Sequence, residues 1–208
     1  MVAKFSPNGQ WIVTASTKKP ACLWANWGSG DEPETCLNGH TGGVISASFD
    51  PSGTHLVTAS VDHTARVWNL SGGLHDAAHT SLTLKGHSGP VQSALFDRSG
   101  DHVLTVSQDE TVRLWFIRGT GGAAVLLDGQ GAVHAAVFSP SGARVATACA
   151  DHTARVWQVT WTPIIAALRS GPGQRCLSVE HRLRYLAESG NDALNRYETC
   201  QRNHGRTP

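Results

Sequence analysis

The sequence predicts an all-β chain made of four copies of one antiparallel unit, followed by a small α-helical tail. Three observations predict it. Phenylalanines at 5, 49, 96 and 138 precede tryptophans at 24, 68, 115 and 157 by a constant 19 residues. The units recur every 42 to 47 residues, so spacing is rigid within a unit and adjustable between units. A tight turn closes by glycine after each Phe: Ser6-Pro7-Asn8-Gly9, Asp50-Pro51-Ser52-Gly53, Asp97-Arg98-Ser99-Gly100 and Ser139-Pro140-Ser141-Gly142.

Each unit opens with an alternating strand, as in Val44-Ile45-Ser46-Ala47-Ser48-Phe49, whose period of two marks a half-buried β-strand. In the turn that follows, proline presets φ and glycine takes the left-handed conformation that closes a hairpin. A second strand, such as His55 to Ser60, reaches a short polar turn. A third ends at the Trp, and a weaker fourth, for example Ser81-Leu82-Thr83-Leu84-Lys85, leads into the next unit. Four short antiparallel strands per unit of about 40 residues make a propeller blade. Helical solenoids of similar period are excluded by the alternation and the turns.

These units resemble WD repeats. Gly39-His40 and Gly86-His87, the turns Ser60-Val61-Asp62 and Ser107-Gln108-Asp109, and the runs Arg66-Val67-Trp68 and Arg113-Leu114-Trp115 carry the likeness over residues 1–159. Asp62 to Trp68 recurs letter for letter at Asp151 to Trp157. The Trp-Asp pair that names the family is missing; Ala25, Asn69, Phe116 and Gln158 follow the four tryptophans.

The resemblance implies a buried relay in blades two and three, running from Trp indole to Ser, Ser to His and His to Asp. The sets would be Trp68, Ser60, His40, Asp62 and Trp115, Ser107, His87, Asp109. Blade one has Ser16, Lys18 and Trp24, with Lys where the Asp belongs. Blade four has Gln130, Cys149, Asp151 and Trp157, without the His and Ser. The outer blades are then expected to rely on apolar packing of Phe5, Ile12 and Val13, and of Val137, Phe138, Val145 and Val156. Ser, His and Asp together also suggest hydrolysis, but a Ser consumed by an indole and turned from solvent is a strut. Partners of WD propellers usually contact loops at one end of the channel. By position these would be Val61, Gln108 and Ala150, joined by Ile45, Gln92 and His134.

A net charge of +1 gives no global pull toward nucleic acid or anionic membrane. No apolar run reaches the roughly 18 residues of a spanning helix. The amino-terminal residues show no hydrophobic signal core. Five scattered cysteines without a C-x-x-C pair fit reduced thiols in a cytoplasm better than a disulfide framework. Other histidines, including His55, His75, His79 and His102, read as solvated turn or edge residues.

Four blades are few for the family, which leaves three arrangements open. The chain is a fragment of a longer product, pairs into a larger ring, or forms an open or unusually tight assembly. Exposed blade edges invite self-association. From residue 160 the composition shifts toward arginine, and residues 160–208 read as a helical tail. The expected helices are Trp161 to Arg169, one capped by Ser178 and running to Glu188, and one capped by Asn191 and running to about Asn203. This tail resembles segments that follow WD repeats in large bacterial signalling proteins. Cys176, His181, Cys200 and His204 would suit tetrahedral zinc, but neighbouring core thiols at Cys176 and Cys200 are the better reading. No cofactor is expected.

The function read from this is a non-catalytic scaffold or sensor module for proteins or peptides. It binds neither nucleic acid nor membrane, and it works in a cytoplasmic signalling assembly. Two alternatives remain: a propeller-hosted hydrolase or metal-dependent enzyme using the channel mouth, and a truncated sensor without independent function.

Overall fold

The computed structural model describes residues 2–25, 33–72, 81–117, 123–127 (as backbone) and 132–159. Every regular element among them is a β-strand, in four antiparallel sheets. Blade 1 holds β1 (Val2–Phe5), β2 (Trp11–Ser16), β3 (Lys19–Ala25) and β4 (Thr35–Leu37). Blade 2 holds β5 (Val44–Phe49), β6 (His55–Ser60), β7 (Ala65–Asn69) and β8 (Ser81–Leu84). Blade 3 holds β9 (Val91–Phe96), β10 (His102–Ser107), β11 (Val112–Phe116) and β12 (Ala123–Leu127). Blade 4 has three described strands, β13 (Val133–Phe138), β14 (Arg144–Cys149) and β15 (Ala154–Gln158). Strands within a sheet follow chain order, so each blade is a meander. None of the described residues forms a helix long and apolar enough to cross a membrane. The tail and its helices lie outside the described residues.

The first turn of each blade forms as its residues dictate. Gly9, Gly53, Gly100 and Gly142 have φ of 68° to 75°, the left-handed region that a side chain resists. The residue opening each turn caps it with a side-chain acceptor. Ser6 Oγ takes the Trp11 N–H at 2.9 Å and Asp50 Oδ1 takes that of His55 at 2.7 Å. Asp97 Oδ1 takes the His102 N–H at 3.1 Å, and Ser139 Oγ takes that of Arg144 at 3.1 Å.

Blades pack face to face, and the core lies in the three joints between them. One face of blade 1 (Val13, Ala15, Ala21, Leu23, Leu37) meets Val44, Ala47, Leu56 and Trp68 of blade 2. Val57, Ala59, Ala65 and Val67 meet Val91, Ala94, Val103 and Trp115 of blade 3. Leu104, Val106, Val112 and Leu114 meet Val133, Ala136 and Val145 of blade 4, with Trp157 against them. Trp68, Trp115 and Trp157 therefore each look back at the blade before their own. At the first joint the backbones run so close that a Cβ on Gly43 would sit 1.9 Å from the Thr17 carbonyl oxygen.

Two expectations are corrected here. Val13 and Val145 are buried as expected, but Phe5, Val137 and Val156 are 57%, 55% and 68% exposed, on strands of the two end blades; no described blade packs on the face of blade 4 that carries Val137 and Val156. The cysteines are not all reduced thiols either. Cys22 and Cys36 stand opposite each other on β3 and β4, with Cα atoms 4.0 Å apart, and form a disulfide. Cys149 is a buried free thiol.

Candidate functional site

The expected partner positions fall at one end of the blades, in a repeated arrangement. Val61, Gln108 and Ala150 sit at the same exposed point of the turn between second and third strands. Their N–H groups donate to the carbonyls of Gly43 (3.1 Å), Pro90 (2.9 Å) and Ala132 (2.7 Å), just ahead of each first strand. Ile45, Gln92 and His134 then follow as the extra residue of a β-bulge. Val44 pairs with Ser60 and Ser46 with Ala59, which leaves Ile45 over, and Gln92 and His134 are left over in the same way. A bulge re-aims its side chain. His134 is exposed, and Ile45 and Gln92 are half-buried. The turn is pinned by Asp-x-Thr: Asp62 Oδ1 accepts the Thr64 N–H (3.0 Å) and hydroxyl (2.7 Å), as Asp109 does from Thr111 and Asp151 from Thr153. It places His63, Glu110 and His152 at φ of 68°, 65° and 63°.

Beneath this end lies a relay whose hydroxyl is not the expected serine. Trp68 Nε1–H donates to Thr58 Oγ1 (2.9 Å), which lies 2.8 Å from His40 Nε2, and His40 Nδ1 meets Asp62 Oδ2 at 2.8 Å. Blade 3 repeats it through Trp115, Thr105 (2.8 Å), His87 (2.7 Å) and Asp109 (2.9 Å). Ser60 and Ser107 instead accept the N–H of Asp62 (3.1 Å) and Asp109 (3.2 Å), and Ser107 also donates to the carbonyls of Gly89 and Pro90. The reason is register. Trp68 stands opposite Leu56, so Thr58 is its diagonal neighbour on the same face. Ser60 is four residues from Leu56, roughly 13 Å along the strand. The missed residues had a signal: Thr14, Thr58, Thr105 and Thr147 each lie ten residues before a Trp, in all four units. In the end blades that pair persists alone, with Trp24 donating to Thr14 (2.8 Å) and Trp157 to Thr147 (3.1 Å). Asp151 turns instead to Arg155, at 2.6 Å.

The family model for the WD domain, G-beta repeat, matches residues 31–69, 79–115 and 124–158, just over half of the chain. The chain belongs to the WD-repeat family. Each match starts at or just before the fourth strand of one blade and ends in the third strand of the next, so every WD repeat here spans a joint. No curated protein matches the chain.

Within these WD repeats the donor inventory sets the relay's direction. Indole only donates and ionised Asp only accepts, so the Thr hydroxyl donates a hydrogen bond to Nε2 of a neutral histidine whose own proton is on Nδ1. Burial pushes His40 and His87 below the usual imidazole value, against the pull of Asp62 and Asp109. For Asp62 and Asp109 burial acts upward, but hydrogen bonds from Thr64 or Thr111, from the histidine and from the Thr41 or Ser88 N–H outweigh it and hold both at about 2. The His40 and His87 side chains are 2% and 0% exposed, so no substrate reaches them. Among the described residues no group of three or more His, Cys, Asp or Glu could hold a metal. The Cys176, His181, Cys200 and His204 set lies outside them, as do Gln130, His75 and His79. His55 and His102 are corrected: they begin β6 and β10 and pair with Asp50 at 3.8 Å and Asp97 at 2.9 Å.

Acid should therefore destabilise the fold in two stages. The unfolded chain takes up protons at histidine near pH 6.5 while the relay resists them, so stability is lost as pH falls below that value. Below the ordinary Asp value of 3.8, toward 2, the carboxylate contribution goes as well. Imidazole resonances of His40 and His87 followed by NMR should titrate at lower pH than free imidazole in the same buffer. Ordinary titration of either would remove the basis of this expectation.

Proposed function

We propose that this WD-repeat chain is a non-catalytic scaffold whose bulge-and-turn end binds a protein or peptide segment. The observation that carries it is the repetition in three blades of an exposed turn residue beside a bulged one: Val61 with Ile45, Gln108 with Gln92, Ala150 with His134. WD repeats generally mediate protein–protein contacts, and a set of mostly neutral side chains spread over three blades suits an extended ligand better than a small molecule. The hydrolase alternative draws no support from the Ser-His-Asp cluster, since Ser60 and Ser107 do not meet the imidazoles. Assignment to a bacterial signalling assembly is supported by the resemblance of residues 160–208. Cytoplasmic placement draws on that resemblance, while the Cys22–Cys36 disulfide removes the cysteine argument for it.

The test is selection of a displayed peptide library on the whole chain, repeated on Gln108→Lys and His134→Glu, both at exposed positions. The reading expects peptides that bind the wild type and lose at least tenfold in affinity on one of these variants. Selection of nothing above background, or of peptides indifferent to both changes, would overturn it.

A further inference from the structure

The two outermost blade faces are the two halves of one more joint. The forward face of blades 1, 2 and 3 is built each time on the same cross-strand positions, Val13 with Leu23, Val57 with Val67 and Leu104 with Leu114, all 0–4% exposed. In blade 4 those positions are Ala146 and Val156, flanked by Ala148 and Ala154, and all four are exposed, Val156 at 68%. The backward face likewise repeats: Leu56 with Trp68, Val103 with Trp115 and Val145 with Trp157, each beside a small residue opposite the relay Thr. That small residue is Ala47, Ala94 or Ala136, at 0%, 1% and 4% exposure. In blade 1 the same positions are Ile12, Trp24 and Ala3. Ile12 and Trp24 are half-buried, and Ala3 is exposed. Both halves of such a joint are thus present and apolar, and no described blade packs on either.

We propose that a second copy of this chain fills them, with blade 4 of each copy packed on blade 1 of the other. The contact is heterologous, and such contacts either close into rings or grow into filaments. Propellers typically close with four to eight blades, so two four-blade copies complete a ring while three overshoot it. The Trp24 indole would lie on the alanine-rich face of blade 4, as Trp115 lies on Val57, Ala59, Ala65 and Val67. This joint is separate from the bulge-and-turn end and independent of what binds there.

Sedimentation equilibrium of the 208-residue chain tests it, alongside Val156→Lys and Ala3→Glu, both at exposed positions that leave each blade's own packing intact. Wild type is expected at twice the chain mass of 22.1 kDa, and each variant alone at the single mass with an unchanged melt. An equimolar mixture of the two should regain the double mass, because one joint is then unaltered and the other sets Lys against Glu. A monomeric wild type would overturn the proposal. So would a dimer that only one variant breaks, which is back-to-back pairing, a mixture that stays monomeric, or polymers that lengthen with concentration.

Discussion

Trp115→Ala is expected to cost about 3–5 kcal/mol of folding stability, and Trp24→Ala distinctly less in the unassociated chain. Trp115 is 3% exposed in the joint between blades 2 and 3, where it packs with Val57, Ala59, Ala65 and Val67. Its loss opens a cavity between two sheets whose own ladders keep them from collapsing into it. It also removes the donor to Thr105, and Thr105 and His87 are buried. Trp24 makes the same bond to Thr14, but on a face that is half open, so water replaces much of what alanine removes. Urea denaturation measures both in the Val156→Lys background, where the chain is expected as a monomer. Trp115→Phe separates the components, since it keeps most of the ring but not the N–H and should cost about 1–3 kcal/mol. Equal losses for Trp115→Ala and Trp24→Ala would mean that the joint contributes nothing beyond the blade itself.

That comparison also shows what could be read from the residues and what could not. The strands, their turns and the four-fold repetition were legible because period-two alternation and the Phe-to-Trp spacing are local properties. Each glycine expected to close a first turn has the left-handed φ. The relay's hydroxyl is Thr58 and not Ser60, two residues away on the same face; the diagonal reach of the indole chooses between them, and its trace in the sequence is the Thr ten residues before each Trp. The exposure of Val156 was not legible, since its equivalent in blade 2, Val67, is covered, and the neighbour decides. Nor was the disulfide. Cys22 and Cys36 are 14 residues apart across a loop whose length says nothing of the β3–β4 register, yet that register sets them face to face. At the candidate site the turn positions were legible as repeats, while the bulges beside them emerge only from strand pairing.

The disulfide carries the second large expectation. Reduction of Cys22–Cys36 should remove about 3 kcal/mol, the chain-entropy value for a closed loop of this length. For a domain of this size that corresponds to a fall of roughly 6–12 °C in melting temperature. The effect should concentrate on blade 1. β4 has only three residues, Thr35–Leu37, and among the described strands ladders with β3 alone, so the bond and Leu37 add to a short ladder in holding this edge. Leu37 is 1% exposed and belongs to the joint with blade 2, so an edge that frays takes part of that joint with it. The double variant Cys22→Ser, Cys36→Ser should melt like the reduced wild type and be indifferent to dithiothreitol. Buried Cys149 should not mimic it, because that thiol closes no loop. Alkylation of the denatured, unreduced protein followed by peptide mass spectrometry decides the premise. The Cys22 and Cys36 peptides should be recovered linked, and recovery of both as separately alkylated thiols would return blade 1 to an edge held by its ladder alone.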